Sequence, residues 1–326
     1  MFDLITFGET MLRLTPEKSM VIEQGSSLNM YPAGSELNVA VAASRLGLTV
    51  SYATKLAANP LGRFINNKCR EQGVDTSWIK WSSQNRQGLY FFENGSPPRP
   101  GVAYYDRESS AFSNIRQTDL DWESILKKTR VFLTSGINPA INENVDIVTL
   151  NGLKVAKQLG KIVAFDINYR SKLWGQEQAK KRIEEYLPYV DILFTSSGDA
   201  QDILGFQEPP GEKLVSEIAN KYNISTVCLI YGSEKEDSLW EIVCISEGKI
   251  YTTEQRGKLT TIDRLGAGDA FAGGFIAGYL ESGPELAVNI GNALITLTNT
   301  YSGDFTWITR EQVDSFLKGS NAMVER

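Results

Sequence analysis

Hydrophobic and polar positions alternate along this chain in two rhythms. Residues 2–7 (FDLITF) form an apolar run closed by Gly8, which predicts a short buried strand. From Gly34, the stretch GSELNVAVAASRLG places Leu37, Val41 and Leu46 at helical spacing, with Ser35 as N-cap and Gly47 in the C′ position. A strand (SYATKL) and a second helix (LGRFINNKCREQG) follow. Between about 87 and 107 the rhythm breaks into two β-rich stretches, QGLYFFEN and GVAYYDR, joined by the turn NGSPPRPG. With a polar/apolar stretch near 11–32 they predict a small inserted sheet, a lid built from about 10–32 and 87–110. From 129 the alternation returns: RVFLTSG, a helix near 143–158, KIVAFDIN, a helix near 176–187, VDILFTS, a helix near 211–222, then STVCLIYG. LWEIVCIS and KIYTTE read as a hairpin ahead of a helical last third. Strands alternating with helices of about 10–15 residues predict a doubly wound, mostly parallel α/β sheet between helices. No repeat, low-complexity tract or flexible linker interrupts it, so 1–326 reads as a single α/β domain carrying the lid.

Composition narrows the chemistry. The chain has 326 residues, 33 Lys+Arg against 39 Asp+Glu, a net charge of −6 and a pI of about 5.1. It contains no histidine, which removes Ser-His-Asp and Cys-His nucleophile systems, imidazole zinc sites and any histidine general base. A net acidic chain without a Lys/Arg cluster is a poor match for nucleic acid or an anionic membrane surface, which leaves a small molecule as the expected partner. Cys69, Cys228 and Cys244 are an odd number at wide spacing, consistent with reduced thiols in a cytoplasmic protein. The N-terminus opens with Asp3 and meets no Lys or Arg before Arg13, a pattern unlike a secretory signal. No uninterrupted apolar run approaches the roughly 18 residues of a membrane span.

The most informative stretch is TTIDRLGAGDAFAGGFIAGYL, residues 260–280. A Gly-Ala-Gly turn entering a helix lets the backbone N–H groups of Gly266, Ala267, Gly268 and Asp269 converge on an anion, aided by the helix dipole. The same dipole favours an ionised Asp269. A carboxylate beside an anion hole suits an alcohol attacking a γ-phosphate, because the loose transition state needs a base only to orient the alcohol and take its proton late. The alternative is that Gly273, Gly274 and Ala277 serve close helix packing, with Gly266 and Gly268 making a tight turn. Rival phosphate motifs fail: Phe271 stands where a dinucleotide GxGxxG needs glycine, and no Gly-Lys pair is followed by Ser or Thr.

DRLGAGDAFAGGF resembles the C-terminal signature of the ribokinase-like (PfkB) carbohydrate kinases, and PAGSELNVAVAASRLG resembles their N-terminal signature. Within that family DINYRSKLW (166–174), the Asp263-Arg264 pair and GDFTWITREQV (303–313) are similar to the 2-keto-3-deoxygluconate kinases. The resemblance implies a ribokinase-like three-layer sandwich and ATP- and Mg²⁺-dependent phosphorylation of a sugar or sugar acid on its terminal hydroxyl. Asp269 would be the base and the 266–268 backbone the charge-stabilising element. Gly34, Ser35 and Asn38 would lie on sugar hydroxyls, Tyr90, Tyr105 and Arg107 would close from the lid, and Arg170 and Asp304 would complete the substrate pocket. A planar guanidinium suits a sugar carboxylate. Arg107 could instead be a solvated strand-edge charge, Arg170 a surface ion pair, and the two tyrosines packing groups. Trp174 reads as core. On the nucleotide side the resemblance places Asn168, Ser197, Gly232, Ser233 with the SEKED loop, and Asn292 near the adenine, with Asp199 handling metal indirectly.

Three departures stand out: Ala33 for the first glycine of a Gly-Gly pair, Ser196-Ser197-Gly198-Asp199 for an Asn-Glu-x-Glu run, and Ile230-Tyr231-Gly232 for Lys-x-Gly. A fructokinase or other ketose kinase is the alternative within the family. A non-catalytic sugar-binding regulator is the alternative of another class. The uncovered lid edge predicts a homodimer through the lid.

Overall fold

The computed structural model describes residues 1–17, 20–95, 98–232, 238–256 and 259–319. The chain begins in the middle of its main sheet with β1 (Phe2–Phe7), leaves it for the antiparallel pair β2 (Met11–Thr15) and β3 (Asn29–Ala33), and returns through α1 (Ser35–Arg45) to β4 (Val50–Ala57). After α2 (Pro60–Glu71) and β5 (Ile79–Ser82), a second excursion supplies β6 (Leu89–Glu93) and β7 (Val102–Asp106). Then α3 (Trp122–Leu126), β8 (Thr129–Ser135), α4 (Ile137–Ile141), α5 (Glu143–Gln158), β9 (Ile162–Asp166), α6 (Gln176–Tyr186), β10 (Ile192–Ser196), α7 (Ser197–Asp202), α8 (Glu212–Tyr222) and β11 (Thr226–Gly232) follow in order. The hairpin β12 (Ser238–Ser246) and β13 (Lys249–Arg256) precedes α9 (Ala267–Ser282), α10 (Pro284–Thr298) and α11 (Arg310–Leu317).

Among the described residues the main sheet runs β13-β12-β11-β10-β9-β8-β1-β4-β5, parallel from β11 to β5, with β12 and β13 antiparallel at one edge. Strands such as β8 and β10 are buried almost throughout because helices cover both faces. The second sheet runs β3-β2-β6-β7, and the two excursions meet where β2 pairs with β6 in parallel. The small sheet foreseen from the sequence is therefore present. Short α3, α4 and α7 have five or six residues each and leave too little periodicity to be read beforehand.

The start of α1 differs from expectation. Gly34, not Ser35, is the N-cap, and Ser35 is the first helical residue, so its hydroxyl is free for another partner. A Cβ on Gly34 would lie 2.2 Å from the Glu9 carbonyl, so this glycine is required by the close passage of the β1–β2 connection. Ala33 is buried at the end of β3 without conflict, and loss of the usual first glycine costs this loop nothing evident. The apolar helix α9 is enclosed nearly all round, from Ala270 through Gly278. A Cβ on Gly273 would sit 2.6 Å from that of Ala42 on α1, so the packing role of these glycines holds as well.

Candidate active site

In an open α/β sheet a crevice forms beyond the carboxyl ends of the strands where the strand order reverses. Here β1 is followed on one side by β4 and on the other by β8, and their ends face a cavity of about 430 Å³ roofed by the small sheet. Gly34, Ser35, Asn38, Tyr90, Tyr105, Arg107, Arg170 and Asp304 all line it, together with Gly266 and Asp269. Contacts separated by more than 230 residues thus converge on one space.

Asp269 lies in the first turn of α9. Its Oδ1 accepts from the Ser35 hydroxyl at 2.6 Å and its Oδ2 from Asn38 Nδ2 at 2.7 Å. Ser35 Oγ in turn accepts from Asn168 Nδ2 at 2.9 Å, and because an amide nitrogen can only donate, the serine proton is directed at Asp269. Asn168 holds this position with φ of +45°, just past the end of β9. Ser35 and Asn38 therefore orient the carboxylate while also lining the cavity in which a sugar was expected. Asn38 Oδ1 is buried without a protein partner and remains able to accept.

The turn ahead of α9 is built around Gly266, whose φ is +79° and whose added Cβ would lie 2.0 Å from the Asp304 carbonyl. Ala267, Gly268 and Asp269 begin the helix, where N–H groups lack intrahelical acceptors, and the space a Cβ on Gly268 would enter is open. This is a cradle fit for phosphate oxygens. The expected dipole-favoured ionisation of Asp269 is reversed in sign. Burial pushes its carboxyl above the usual range, against the Ser35 and Asn38 hydrogen bonds and the Arg170 charge. Asp166, at the end of β9, is raised well above the ordinary value by burial first and then by Asp269 and Asp199. Burial also raises Asp199, whose own N–H donates to Ser196 Oγ at 3.0 Å. Among the described residues no three Asp, Glu or Cys side chains form a metal-binding group.

Of the other residues expected near a nucleotide, Ser197 opens α7 and Gly232 ends β11 on the exposed side. Asn292 bonds inside the fold: its Oδ1 accepts from Trp240 Nε1 at 3.1 Å and its Nδ2 donates to Thr253 Oγ1 at 3.3 Å, tying α10 to the β12–β13 hairpin. Ser233 and the rest of 233–237 lie outside the described residues.

The basic side of the cavity has two differently held guanidinium groups. Arg107, one residue past β7, is mostly buried and donates through Nε to Glu9 Oε2 at 2.9 Å, with Nη2 on the same oxygen; it is no solvated edge charge. Glu9 Oε1 accepts from Ser110 at 2.8 Å. Arg170 is exposed, donates to the Tyr169 carbonyl at 3.2 Å, and has no carboxylate within 4 Å among the described residues. Tyr90 is buried and its hydroxyl donates to Asp304 at 3.1 Å, while the Tyr105 ring lies tilted beside it with centroids 5.6 Å apart and is 42% exposed. Trp174 is core. Glu9, Glu36, Arg13 and Lys172 escaped the sequence reading, since nothing local marks an acid or base whose partner lies between 69 and 291 residues away.

The model of the pfkB family carbohydrate kinases matches residues 1–307. The chain belongs to that family. A 2-dehydro-3-deoxygalactonokinase of Haloferax volcanii is 36% identical over 99% of both chains. Among solved structures, a 2-dehydro-3-deoxygluconokinase of Thermotoga maritima superposes with a TM-score of 0.92 at 34% identity, covering 98% of each chain. A putative ribokinase II of E. coli, solved with ATP and Mg²⁺, shares the fold with a TM-score of 0.86 at 19% identity over 98% of this chain. The ribokinase-like α/β architecture and the PfkB kinase assignment read from the two terminal signatures are both upheld by these likenesses. Within this PfkB chain, no described helix is long and apolar enough to cross a membrane.

Proposed function

We propose that this chain transfers the γ-phosphoryl group of ATP to the terminal hydroxyl of 2-keto-3-deoxygluconate or a closely related 2-keto-3-deoxy sugar acid. The observation that carries the reading is the meeting, in one cavity, of a raised and doubly hydrogen-bonded Asp269 at the mouth of α9 with the guanidinium groups of Arg107 and Arg170. The carboxylate of a sugar acid takes the basic side, and its far hydroxyl reaches Asp269. Asp269 accepts the hydroxyl proton as the sugar oxygen bonds to phosphorus and the bond to ADP breaks. A carboxylate raised by burial is a better base than an exposed one, and it needs no histidine. N–H groups of residues 266–268 stabilise charge developing on the phosphoryl oxygens.

On the nucleotide side, Asn168, Ser197 and Gly232 border the phosphates, and Asn292 acts by fixing the hairpin beside the adenine. Mg²⁺ bound to the nucleotide would neutralise phosphate charge, and as the described residues offer no group of three acids or thiols to hold it, Asp199 would act on it indirectly. The small sheet is the lid of a single α/β domain, and its closure excludes water and suppresses ATP hydrolysis. Exposed Tyr104 and Tyr105 on the edge strand β7 support a homodimer through the lid, and three buried free thiols support a cytoplasmic setting.

ADP release is to be measured over a panel of acid sugars and neutral ketoses. Acid sugars are expected to turn over best, Asp269→Asn to lower kcat about 10²- to 10⁴-fold, and Arg107→Ala or Arg170→Ala to raise KM far more for acids than for ketoses. No ADP above the Asp269→Asn background with any sugar overturns the kinase reading, and equal losses on both substrate types overturn the carboxylate role.

A further inference from the structure

Among the described residues Arg13 is the largest fully buried side chain, although it carries a permanent charge. It stands on β2, the strand where the two halves of the small sheet join, yet its guanidinium leaves that sheet for the body. Nη1 donates to Asp304 Oδ1 at 2.9 Å, and Nη2 lies 2.8 Å from Asp263 Oδ2. Its flat face rests 4.8 Å from the Phe92 ring on β6 and 5.6 Å from the Tyr31 ring on β3, so the neighbouring strands fix its orientation.

Both acids sit at points that matter for the cavity. Asp304 lines it and has its two oxygens divided between Arg13 and the Tyr90 hydroxyl, which leaves the carboxylate no freedom to turn. Asp263 accepts from the N–H of Leu265 at 3.1 Å and of Gly303 at 3.2 Å. It thereby clamps the turn leading to Gly266 against the segment carrying Asp304, the same two segments that touch where Gly266 meets the Asp304 carbonyl. A lysine could reach one of these acids; the planar fork of arginine is needed to hold both at once.

We propose that Arg13 is a positioning residue for phosphoryl transfer: from the small sheet it fixes Asp304 in the cavity wall and, through Asp263, the turn that presents the N-terminus of α9. β2 is consequently pinned to the body, and β6 is held beside it where the Tyr90 hydroxyl donates to Asp304 at 3.1 Å. At the edge strand β7, exposed Lys172 Nζ donates to the Ala103 carbonyl at 2.7 Å, Asp106 pairs with Arg86, and Arg107 just beyond leans on Glu9.

The inference rests on the kinase reading, and the test separates the two. Wild type, Arg13→Lys, Arg13→Met and Arg13→Met/Asp263→Asn are compared in melting temperature and in kcat and KM for the best acid sugar. Arg13→Met is expected to raise KM about 10- to 100-fold, the loss of a charge-assisted anchor, and to melt earlier. Arg13→Lys should recover part of the KM. The double variant removes one of the two stranded acids and should regain melting temperature while KM stays high. Recovery of KM together with stability would reduce Arg13 to a structural ion pair and overturn the proposal, as would an Arg13→Met KM equal to wild type. Failure of the wild type to turn over any sugar overturns the kinase reading and the proposal with it.

Discussion

At Glu36 a carboxyl is enclosed by protein: its Oε1 accepts from Ser135 Oγ at 2.6 Å and from Asn138 Nδ2 at 3.3 Å, and its Oε2 lies against Gly8. Burial, with smaller contributions from Asp269 and Glu9, lifts it from 4.5 to about 7 in spite of those donors. Between pH 4.5 and 7 the folded protein keeps a proton that the unfolded chain gives up, so stability falls as pH rises through this window. The contribution is full below 4.5 and gone above 7, on the order of 3 kcal/mol. Glu36→Gln is therefore expected to raise the melting temperature at pH 8 relative to wild type and leave it unchanged at pH 4.5. An equal offset at both pH values would contradict the assignment. Asp304, lifted by burial from 3.8 to about 6 against the pull of Arg13, adds a lower window that the Gln variant retains. With no histidine in the chain, an activity limb between pH 6 and 7 falls to these acids, the substrate or the nucleotide phosphate. Asp269 could be read from the sequence because its turn is contiguous. Glu9, Glu36 and Arg13 could not, because their meaning lies in partners that only folding brings near.

Among elements, the contact of α9 with α1 decides how the two halves of the site meet. Ser35 and Asn38 face Asp269 only because the helices approach closely enough for Gly273 to pass over Ala42 and the Val39 carbonyl, which a Cβ would reach at 2.6 and 2.7 Å. Gly273→Val should force the helices apart. It is expected to cost about 1–3 kcal/mol of stability by overpacking, and to lower kcat because the two donors retreat from the carboxylate. A variant that melts earlier with kcat intact would show that the helices yield elsewhere. The periodic elements were legible: strand β1, helices α1, α5, α6 and α8 and the small-sheet strands fall where the apolar spacing puts them. The cap of α1 was not, since choosing Gly34 over Ser35 depends on the Glu9 carbonyl that crowds that point.

For the molecule as a whole, the small sheet roofs the cavity and ends, among the described residues, in the edge strand β7, where Tyr104 is 54% exposed. An uncovered edge with aromatic side chains is ordinarily protected by another strand. In sedimentation at micromolar concentration the protein should run at twice its 36.2 kDa chain mass, and Tyr104→Asp should shift it toward the single chain. A wild type that sediments as one chain overturns the dimer.

By itself the sequence determined the alternation of strands and helices, the inserted small sheet, the glycine turn with its aspartate, and the exclusion of histidine chemistry. All of these are set by local spacing and residue type. The tertiary structure decided that Asp269 is raised rather than lowered, that Ser35 and Asn38 serve the carboxylate, that Arg107 leans on Glu9, and that Arg13 spans two acids beneath the small sheet. Each depends on how much water is excluded and on which groups are brought within 3 Å across 98 to 291 residues of chain, quantities that no local pattern encodes.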